Sequence, residues 1–208
     1  MQNINYTDYW QKIYQQKSSD SLSWYQEQAS QSFQLIKKSV SHFTDPVIDI
    51  GSGSSVLVDQ LVDAGFSQLS ILDISAAALQ ISKQRLANVG KDIDWCVDDV
   101  TQFIPSRQYR VWHDRAVFHF LTSVQDRRAY VETLSQALMP GGYAIIATFS
   151  VGGPNQCSGL PVVQYDAEKL RMALGDGFTL LEHLIEDHLT PAKLIQPFSY
   201  FRLQKKVS

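Results

Sequence analysis

The sequence predicts an α/β fold, a three-layer sandwich around a seven-stranded, mostly parallel sheet with an antiparallel last strand. From residue 46 onward, short β-branched runs alternate with helical segments, which is the pattern of βαβ units. Two strand-like runs near the end, 178–188 and 195–204, are separated by only a few residues and predict an antiparallel hairpin. The 208 residues fit one domain, 1–208, with a helical region at 1–45 before a core at 46–208.

Two helices are predicted before the first strand. Apolar and aromatic residues recur at three- and four-residue spacing from Tyr6 to Tyr14, as on one face of a helix. A second helical stretch, from about 23 to 43, includes Trp24 and ends near Pro46. The aromatic residues of this region suit either a lid over a ligand or a core beneath it.

The core alternates strands with helices. Strands are predicted at about 46–50, 69–73, 93–97, 109–113 and 142–149, and helices near 54–64, 75–88 and 124–138. Gly65, Gly90 and the turn Pro140-Gly141-Gly142 stand where helix stop signals belong. A loop rich in glycine and proline then leads to a short helix at about 166–174 before the hairpin.

Composition and charge narrow the class of protein. The 18 Lys and Arg against 21 Asp and Glu give a net charge of -3, so no nucleic-acid partner is expected. No apolar run approaches about 20 residues and no signal-peptide pattern opens the chain, which favours a cytoplasmic protein without a membrane partner. Cys96 and Cys157 fit reduced thiols, and no metal site is predicted because the cysteines and histidines lack ligand spacing.

The most informative segment is a strand that runs into a glycine turn. Gly51, Ser52 and Gly53 follow the strand and let backbone approach a ligand at the start of a helix. A dinucleotide fingerprint would place a third glycine where Val56 stands. Asp49 would repel a pyrophosphate but attract a cation. This segment therefore favours a cationic ligand, S-adenosylmethionine, over NAD.

Two further carboxylates follow the next two strands. Asp73, followed by Ile74, ends the second strand and could accept from both ribose hydroxyls. Asp99 could accept from the adenine amino group while the backbone N–H of Val100 meets the ring, with Asp98 as the alternative acid. Because parallel strands end at one edge of a sheet, these acids and Asp49 are expected to line one crevice.

With these residues, the chain resembles the class I S-adenosylmethionine-dependent methyltransferases over roughly residues 10–202. Their D-x-G-x-G turn matches Asp49, Gly51 and Gly53, and the helix, Pro-Gly-Gly turn and strand at 134–149 look like theirs. The resemblance implies a Rossmann-like fold. The N-terminal aromatic pattern is similar to the thiopurine-methyltransferase-like and small protein-lysine methyltransferase-like branches, which implies that Tyr14 or Trp24 covers the cofactor.

The segment after the fourth strand supplies the candidate catalytic residues. Asp114 and Arg115 resemble part of the Asp-Lys-Gly-Thr-x-Asp stretch of the lysine-methylating branch, which implies that Asp114 faces the cofactor. A neutral amine, thiol or hydroxyl acceptor needs a base, and His119, Asp114 or His113 could serve. His119 is preferred because its ordinary pKa lies near working pH, although it suits a packed core position equally well.

The sequence thus predicts methyl transfer from S-adenosylmethionine, with S-adenosylhomocysteine as product, to a small molecule or a protein side chain. Two alternatives remain: an NAD-type oxidoreductase, and a methyltransferase-like protein that only binds a partner. The sequence indicates neither the acceptor nor the oligomeric state.

Overall fold

The computed structural model describes residues 5–87 and 89–207 and contains the predicted seven-stranded sheet. The strands of this sheet are β1 (Val47–Ile50), β2 (Leu69–Asp73), β3 (Asp94–Val97), β4 (Tyr109–Arg115), β5 (Leu138–Phe149), β8 (Phe178–Leu189) and β9 (Ile195–Lys205). The short strands β6 (Gln156–Cys157) and β7 (Leu160–Pro161) form a separate pair. The order across the sheet is β3-β2-β1-β4-β5-β9-β8. Strands β1 to β5 are parallel and β9 runs antiparallel to both neighbours, which confirms the predicted fold class and terminal hairpin.

Six α-helices accompany the sheet in the described residues. They are α1 (Tyr6–Gln16), α2 (Ser30–Ser39), α3 (Leu57–Asp63), α4 (Ala76–Leu86), α5 (Val124–Ala137) and α6 (Ala167–Leu174). Four of these helices begin at a polar residue whose side chain accepts a backbone N–H of the first turn: Asn5, Ser75, Ser123 and Asp166. Such caps satisfy donors that a helix leaves free, and they fix where these helices start.

The second predicted helix is wrong in extent. The prediction ran from about 23 to 43, whereas α2 covers Ser30–Ser39, so Trp24 precedes the helix. At its start, the Ala29 N–H donates to Gln60 Oε1 at 2.9 Å. Beyond its end, Asp45 accepts the N–H groups of Ser41 and His42, which forms a turn instead of a further helical turn. The predicted helix at 75–88 ends at Leu86, and residue 88 lies outside the described residues.

Helices cover both faces of the sheet. Buried residues of α2, α3 and α4 pack on one face, and those of α5 and α6 pack on the other. Side chains alternate between faces along each strand, so the register partners Asp49 and His113 point to the same side. That side carries α2. The strand order reverses between β1 and β4, and an open parallel sheet binds its ligands at such a point.

Candidate functional site

A cavity of about 360 Å³ opens at the carboxyl ends of the parallel strands. Ile50 and Gly51 of the β1 end and Arg115 and Ala116 of the β4 end contribute to its wall, which places it where the strand order reverses. Its volume is within the range of small-ligand sites.

The glycine turn after β1 is tightly packed. Gly51 and Gly53 have φ of +60° and +58°, a region that favours glycine. A Cβ at Gly51 would overlap the Val117 side chain, and one at Gly53 would overlap the Tyr14 hydroxyl. Ser52, between them, has a buried Oγ without a hydrogen-bond partner among the described residues. The turn therefore places the Gly51 backbone in the wall of the cavity and the unpaired Ser52 hydroxyl next to it in the chain.

One carboxylate oxygen of Asp49 is hydrogen-bonded to His113, and the other has no partner among the described residues. His113 Nδ1 lies 2.6 Å from Asp49 Oδ1, and His113 Nε2 lies 2.8 Å from the Ser32 hydroxyl. All three side chains are buried. Asp49 Oδ2 is buried as well and has no partner in the described chain, although an unpaired buried carboxylate oxygen is costly.

A second, smaller cavity of about 50 Å³ adjoins this carboxylate. Its wall includes Asp49, Ser52, His113 and Arg115. It thus combines an acidic oxygen and a free hydroxyl in a space suited to a small ammonium group. The amino group of S-adenosylmethionine has that chemistry, so the residues present fit this cofactor.

Asp73 lies in the wall of the large cavity together with Ile74. Its Oδ2 accepts the Gly53 N–H and its Oδ1 accepts the Ser75 N–H, both at 2.8 Å. Burial raises the pKa of this carboxyl to about 6, while the two N–H donors act against the rise. Asp73 therefore ties the glycine turn to the start of α4 and keeps further lone pairs for a ligand.

Asp99 and Val100 also line the large cavity, next to Thr101. Asp99 Oδ1 accepts from both the backbone N–H and the hydroxyl of Thr101 at 2.8 Å. The neighbouring Asp98 is exposed, and its Oδ1 accepts the Asp99 N–H at 2.8 Å. The structure thus places Asp99 in the cavity wall and Asp98 at the surface.

Aromatic side chains of the N-terminal segment form another part of the wall. Tyr6, Trp10 and Tyr14 of α1, Trp24 and Phe120 line the cavity. The Trp10 ring meets Trp24 and Phe120 edge to face, with centroid distances of 5.7 and 5.2 Å. Burial, and secondarily the charge of Asp73, raises the pKa of Tyr14, so this phenol is neutral. Tyr14 and Trp24 are therefore both at the predicted site.

The helix that carries these aromatics is fixed to the core. Gln11 Oε1 accepts from the Ser75 hydroxyl at 2.9 Å and from the Ala77 N–H at 3.0 Å. Tyr9 donates its hydroxyl hydrogen to the Ser158 carbonyl. Thus α1 is attached both at the start of α4 and at the loop after β5.

Arg115 is a site residue that sequence reasoning noted only through the family resemblance. It lines both cavities, and its side chain lies on the same face of β4 as His113. Asp114 lies on the opposite face. The signal available in the sequence was the alternation of β4, which places Arg115 with Asp49 and His113 once the register is known.

Asp114 was predicted to touch the cofactor or to act as a base, and the structure corrects its position. It is absent from the described residues that line the two cavities. Its carboxylate accepts the Val117 and Phe118 N–H groups at 2.8 and 3.0 Å and the Tyr130 hydroxyl at 2.6 Å. Burial raises the pKa of Asp114 to about 6. This side chain holds the turn after β4 rather than facing the cavity.

For His119, the sequence left a base and a packed core position equally open. This histidine is buried against Phe120 and Phe149 and is absent from the described linings of both cavities. The Phe149 N–H donates to its Nδ1 at 3.4 Å. Burial, with a smaller contribution from Arg115, lowers its pKa to about 3. The structure therefore favours the packed-core alternative for His119.

Residues 5–87 and 89–207 contain neither a candidate metal-binding cluster nor a candidate membrane-spanning helix. These residues include no cluster of three or more His, Cys, Asp or Glu side chains arranged to hold a metal ion. None of their helices is long and apolar enough to cross a membrane. Cys96 and Cys157 are free thiols, and burial raises the pKa of each to about 11.

Comparison with known proteins supports the same family. A family model described as a methyltransferase domain matches residues 47–142. Human EEF1A lysine methyltransferase 2 is 26% identical over 148 residues, covering 66% of this chain and 56% of that protein. The eEF1A lysine and N-terminal methyltransferase of Danio rerio is 29% identical over 120 residues, covering 57% of this chain and 17% of that protein. The chain thus spans about half the length of the first relative and far less of the second.

Solved structures share the fold at low sequence identity. The structure described as "Conversion of a Disulfide Bond into a Thioacetal Group during Echinomycin Biosynthesis" has a TM-score of 0.79 at 18% identity, covering 98% of this chain and 94% of that one. The N-methyltransferase NodS from Bradyrhizobium japonicum, in complex with S-adenosylhomocysteine, has a TM-score of 0.71 at 16% identity, covering 97% and 99%. Together with the matched domain, which contains the glycine turn, Asp73 and Asp99, these findings support a class I S-adenosylmethionine-dependent methyltransferase family for this chain.

Proposed function

We propose that this chain transfers the methyl group of S-adenosylmethionine to a nucleophile that enters the large cavity. The observation that carries the proposal is the buried, unpaired Oδ2 of Asp49 in the smaller cavity, which shares Gly51 with the larger cavity that Asp73 and Asp99 line. A pyrophosphate would place negative charge against this oxygen, whereas the amino group of S-adenosylmethionine would pair with it.

Each cofactor-facing residue then has a role. Asp49 binds the amino group, and Gly51, Ser52 and Gly53 allow the methionyl part to lie against backbone. Asp73 accepts from the ribose hydroxyls. Asp99 accepts from the adenine amino group, next to the N–H of Val100. When bound, S-adenosylmethionine supplies a methyl carbon that its sulfonium makes electrophilic.

The N-terminal segment closes the site against water. Trp10, Tyr14 and Trp24 cover the cavity from the side of α1. Excluding water and aligning the acceptor are the contributions that the protein makes to such a transfer. The division into a lid region at 1–45 and a cofactor core at 46–208 belongs to this proposal, as does a cytoplasmic location for a protein with two reduced thiols.

A general base is not part of the proposed mechanism. The described lining of the large cavity includes no histidine, and both ring nitrogens of His113 are engaged by Asp49 and Ser32. The acceptor therefore enters with a lone pair already available, and alignment supplies the main rate gain.

Calorimetry with S-adenosylhomocysteine and with NAD tests the cofactor assignment. We expect S-adenosylhomocysteine to bind in a 1:1 ratio and NAD to give no measurable heat. Binding of NAD without binding of S-adenosylhomocysteine would instead favour an oxidoreductase. Release of S-adenosylhomocysteine from S-adenosylmethionine in the presence of a chosen acceptor distinguishes an enzyme from a binding protein of the same fold.

A further inference from the structure

We propose that the methyl acceptor is a compact apolar molecule bearing a carboxylate or an equivalent anionic oxygen, and that Arg115 is the residue that binds this group. The inference rests on the proposed function, because it assumes that the cofactor occupies the part of the cavity at β2 and β3. The inference concerns the other part of the cavity, at the ends of β4, β5 and β9, where no residue has been assigned to the cofactor.

The two ends of the cavity differ in chemistry along the edge of the sheet. Asp73 follows β2 and Asp99 follows β3, while Arg115 ends β4 and Phe149 ends β5. Neighbouring strands lie about 4.8 Å apart, so the ends of β2 and β4, two strands apart, are separated by about 10 Å. The acidic end suits the adenosine, and the methyl group is then directed toward the end that holds Arg115.

Hydrogen bonds fix two nitrogens of the Arg115 guanidinium, and the third has no partner among the described residues. Its Nε donates to the Tyr200 hydroxyl at 2.9 Å, and its Nη1 donates to the Trp24 carbonyl at 3.2 Å. The group stacks over the Phe198 ring, 4.3 Å from the centroid. Nη2 is buried and has no partner among the described residues. A guanidinium that is held on one side and free on the other is preorganised for an oxyanion.

The carboxylates near Arg115 are engaged elsewhere or reach it only indirectly. Asp49 lines the smaller cavity together with Arg115, but its Oδ1 is engaged by His113. None of the described carboxylates forms an ion pair with it. Glu186 accepts the Tyr200 hydroxyl at 3.0 Å and so reaches Arg115 only through that phenol. Burial, followed by the charge of Arg115, lowers the pKa of His188, which keeps that ring neutral at physiological pH. Asp126, the remaining acid of the lining, is exposed.

The remaining walls at this end are apolar. Trp10, Trp24, Phe120, Phe149 and Phe198 surround the space, together with the buried Cys157. The cavity of about 360 Å³ has to hold the cofactor as well, so only a small acceptor or the tip of a side chain fits beside it. Aromatic walls favour a flat apolar body.

A lysine side chain matches this end poorly. Its ammonium would approach the partly buried guanidinium of Arg115, and like charges at short range in a poorly solvated site repel strongly. An anionic acceptor pairs with the free Nη2 and removes an unsatisfied buried donor. The charge at Arg115 therefore separates the acceptor of this chain from the lysine for which its curated relatives are named.

Three probes that share one ring but differ in charge test the inference: benzoate, benzamide and benzylamine. Each is titrated into the protein saturated with S-adenosylhomocysteine, and binding is followed by tryptophan fluorescence and by calorimetry. We expect benzoate to bind at least about tenfold more tightly than the other two, the scale of one charge-assisted hydrogen bond. Equal binding of all three, or a preference for benzylamine, overturns the inference.

Arg115→Gln identifies the residue responsible. We expect it to remove the preference for benzoate while the affinity for S-adenosylhomocysteine stays within about threefold, less than the loss of one hydrogen bond to a charged group. Arg110→Gln is the matched control, because Arg110 lies on the same strand and stacks over Tyr143. If Arg115→Gln weakens S-adenosylhomocysteine as much as benzoate, Arg115 binds the carboxylate of the cofactor and the inference is wrong. Failure of S-adenosylhomocysteine to bind the wild-type protein contradicts the proposed function itself.

Discussion

His113 Nδ1 lies 2.6 Å from Asp49 Oδ1, which leaves Asp49 Oδ2 as a buried oxygen without a hydrogen-bond partner among the described residues. The two residues are register partners on adjacent strands and point to the same face of the sheet. Since the Ser32 hydroxyl holds the other ring nitrogen at 2.8 Å, the imidazole cannot rotate freely. These contacts favour a role for His113 as a positioning residue for Asp49, and the base role that the sequence suggested stays a prediction.

We expect Asp49→Asn to weaken S-adenosylhomocysteine about 10- to 100-fold. The variant removes the charge that binds the amino group, and a hydrogen bond to a charged group contributes about 1.5–3 kcal/mol. Calorimetry at pH 7 measures the change. Asp98→Asn, at an exposed acid outside the cavity wall, is the matched control and should bind normally. Unchanged affinity in Asp49→Asn would remove Asp49 from the cofactor site.

The affinity for S-adenosylhomocysteine should fall as pH is lowered below about 6. Burial raises the pKa of Asp73 to about 6, so this carboxyl gains a proton there and loses acceptor capacity toward the ribose. A single required ionisation lowers affinity by up to about tenfold per pH unit. Titrations from pH 8 to pH 5 test this prediction.

Asp73→Asn is the variant that assigns the pH dependence. It should bind more weakly at pH 8 and show a flatter profile, because the neutral amide has no proton to gain. A wild-type profile that is flat between pH 8 and pH 5 contradicts the role of Asp73. So does a variant that keeps the wild-type slope.

Gly53→Ala should reduce both stability and cofactor affinity, whereas Gly152→Ala should affect only stability. Both glycines have positive φ, +58° at Gly53 and +87° at Gly152, so each alanine strains the backbone. A Cβ at Gly53 also displaces the Tyr14 hydroxyl, whereas one at Gly152 meets nothing within 4 Å. Thermal unfolding and calorimetry on the two variants separate backbone strain from damage to the site. Equal cofactor affinity in both would show that the contact of Gly53 with Tyr14 does not matter for binding.

The sequence predicted the sheet well because its strands are short apolar runs that are separated by clear turn and helix-stop residues. It failed at the second helix, where the spacing from Trp24 to Phe43 is compatible with a helix but the Gln60 and Asp45 side chains bind the backbone at its two ends. Such tertiary contacts join residues far apart in sequence or depend on local geometry, and periodicity alone does not reveal them.

At the site, the acids that follow strands were predictable, because the carboxyl ends of parallel strands share one edge. The roles of the last two residues of β4 were not predictable. One position separates Asp114, which holds a turn, from Arg115, which faces both cavities. Only the register of β4 against β1 decides which of the two side chains shares a face with Asp49.

His119 gives a prediction that distinguishes a buried neutral histidine from a catalytic base. Burial lowers its pKa to about 3 from 6.5, so the unfolded chain takes up a proton below pH 6.5 and the folded chain does not. The contribution of His119 to the free energy of unfolding is therefore fully present above pH 6.5 and is lost as the pH falls toward 3. Between pH 7 and pH 5, the loss amounts to about 2 kcal/mol.

The comparison of wild type with His119→Gln isolates this contribution, because glutamine does not titrate and offers an oxygen to the Phe149 N–H. We expect the difference in unfolding free energy between the two proteins to shrink by about 2 kcal/mol from pH 7 to pH 5, measured by urea denaturation. His42→Gln, at an exposed histidine, controls for removal of a histidine at the surface. His119→Gln should also keep the wild-type dependence of turnover on pH from 6 to 9. A loss of turnover in His119→Gln above pH 6.5, where a histidine base would be neutral and active, together with loss of the wild-type fall in turnover at the acidic side, would restore His119 as a base and contradict its place in the core.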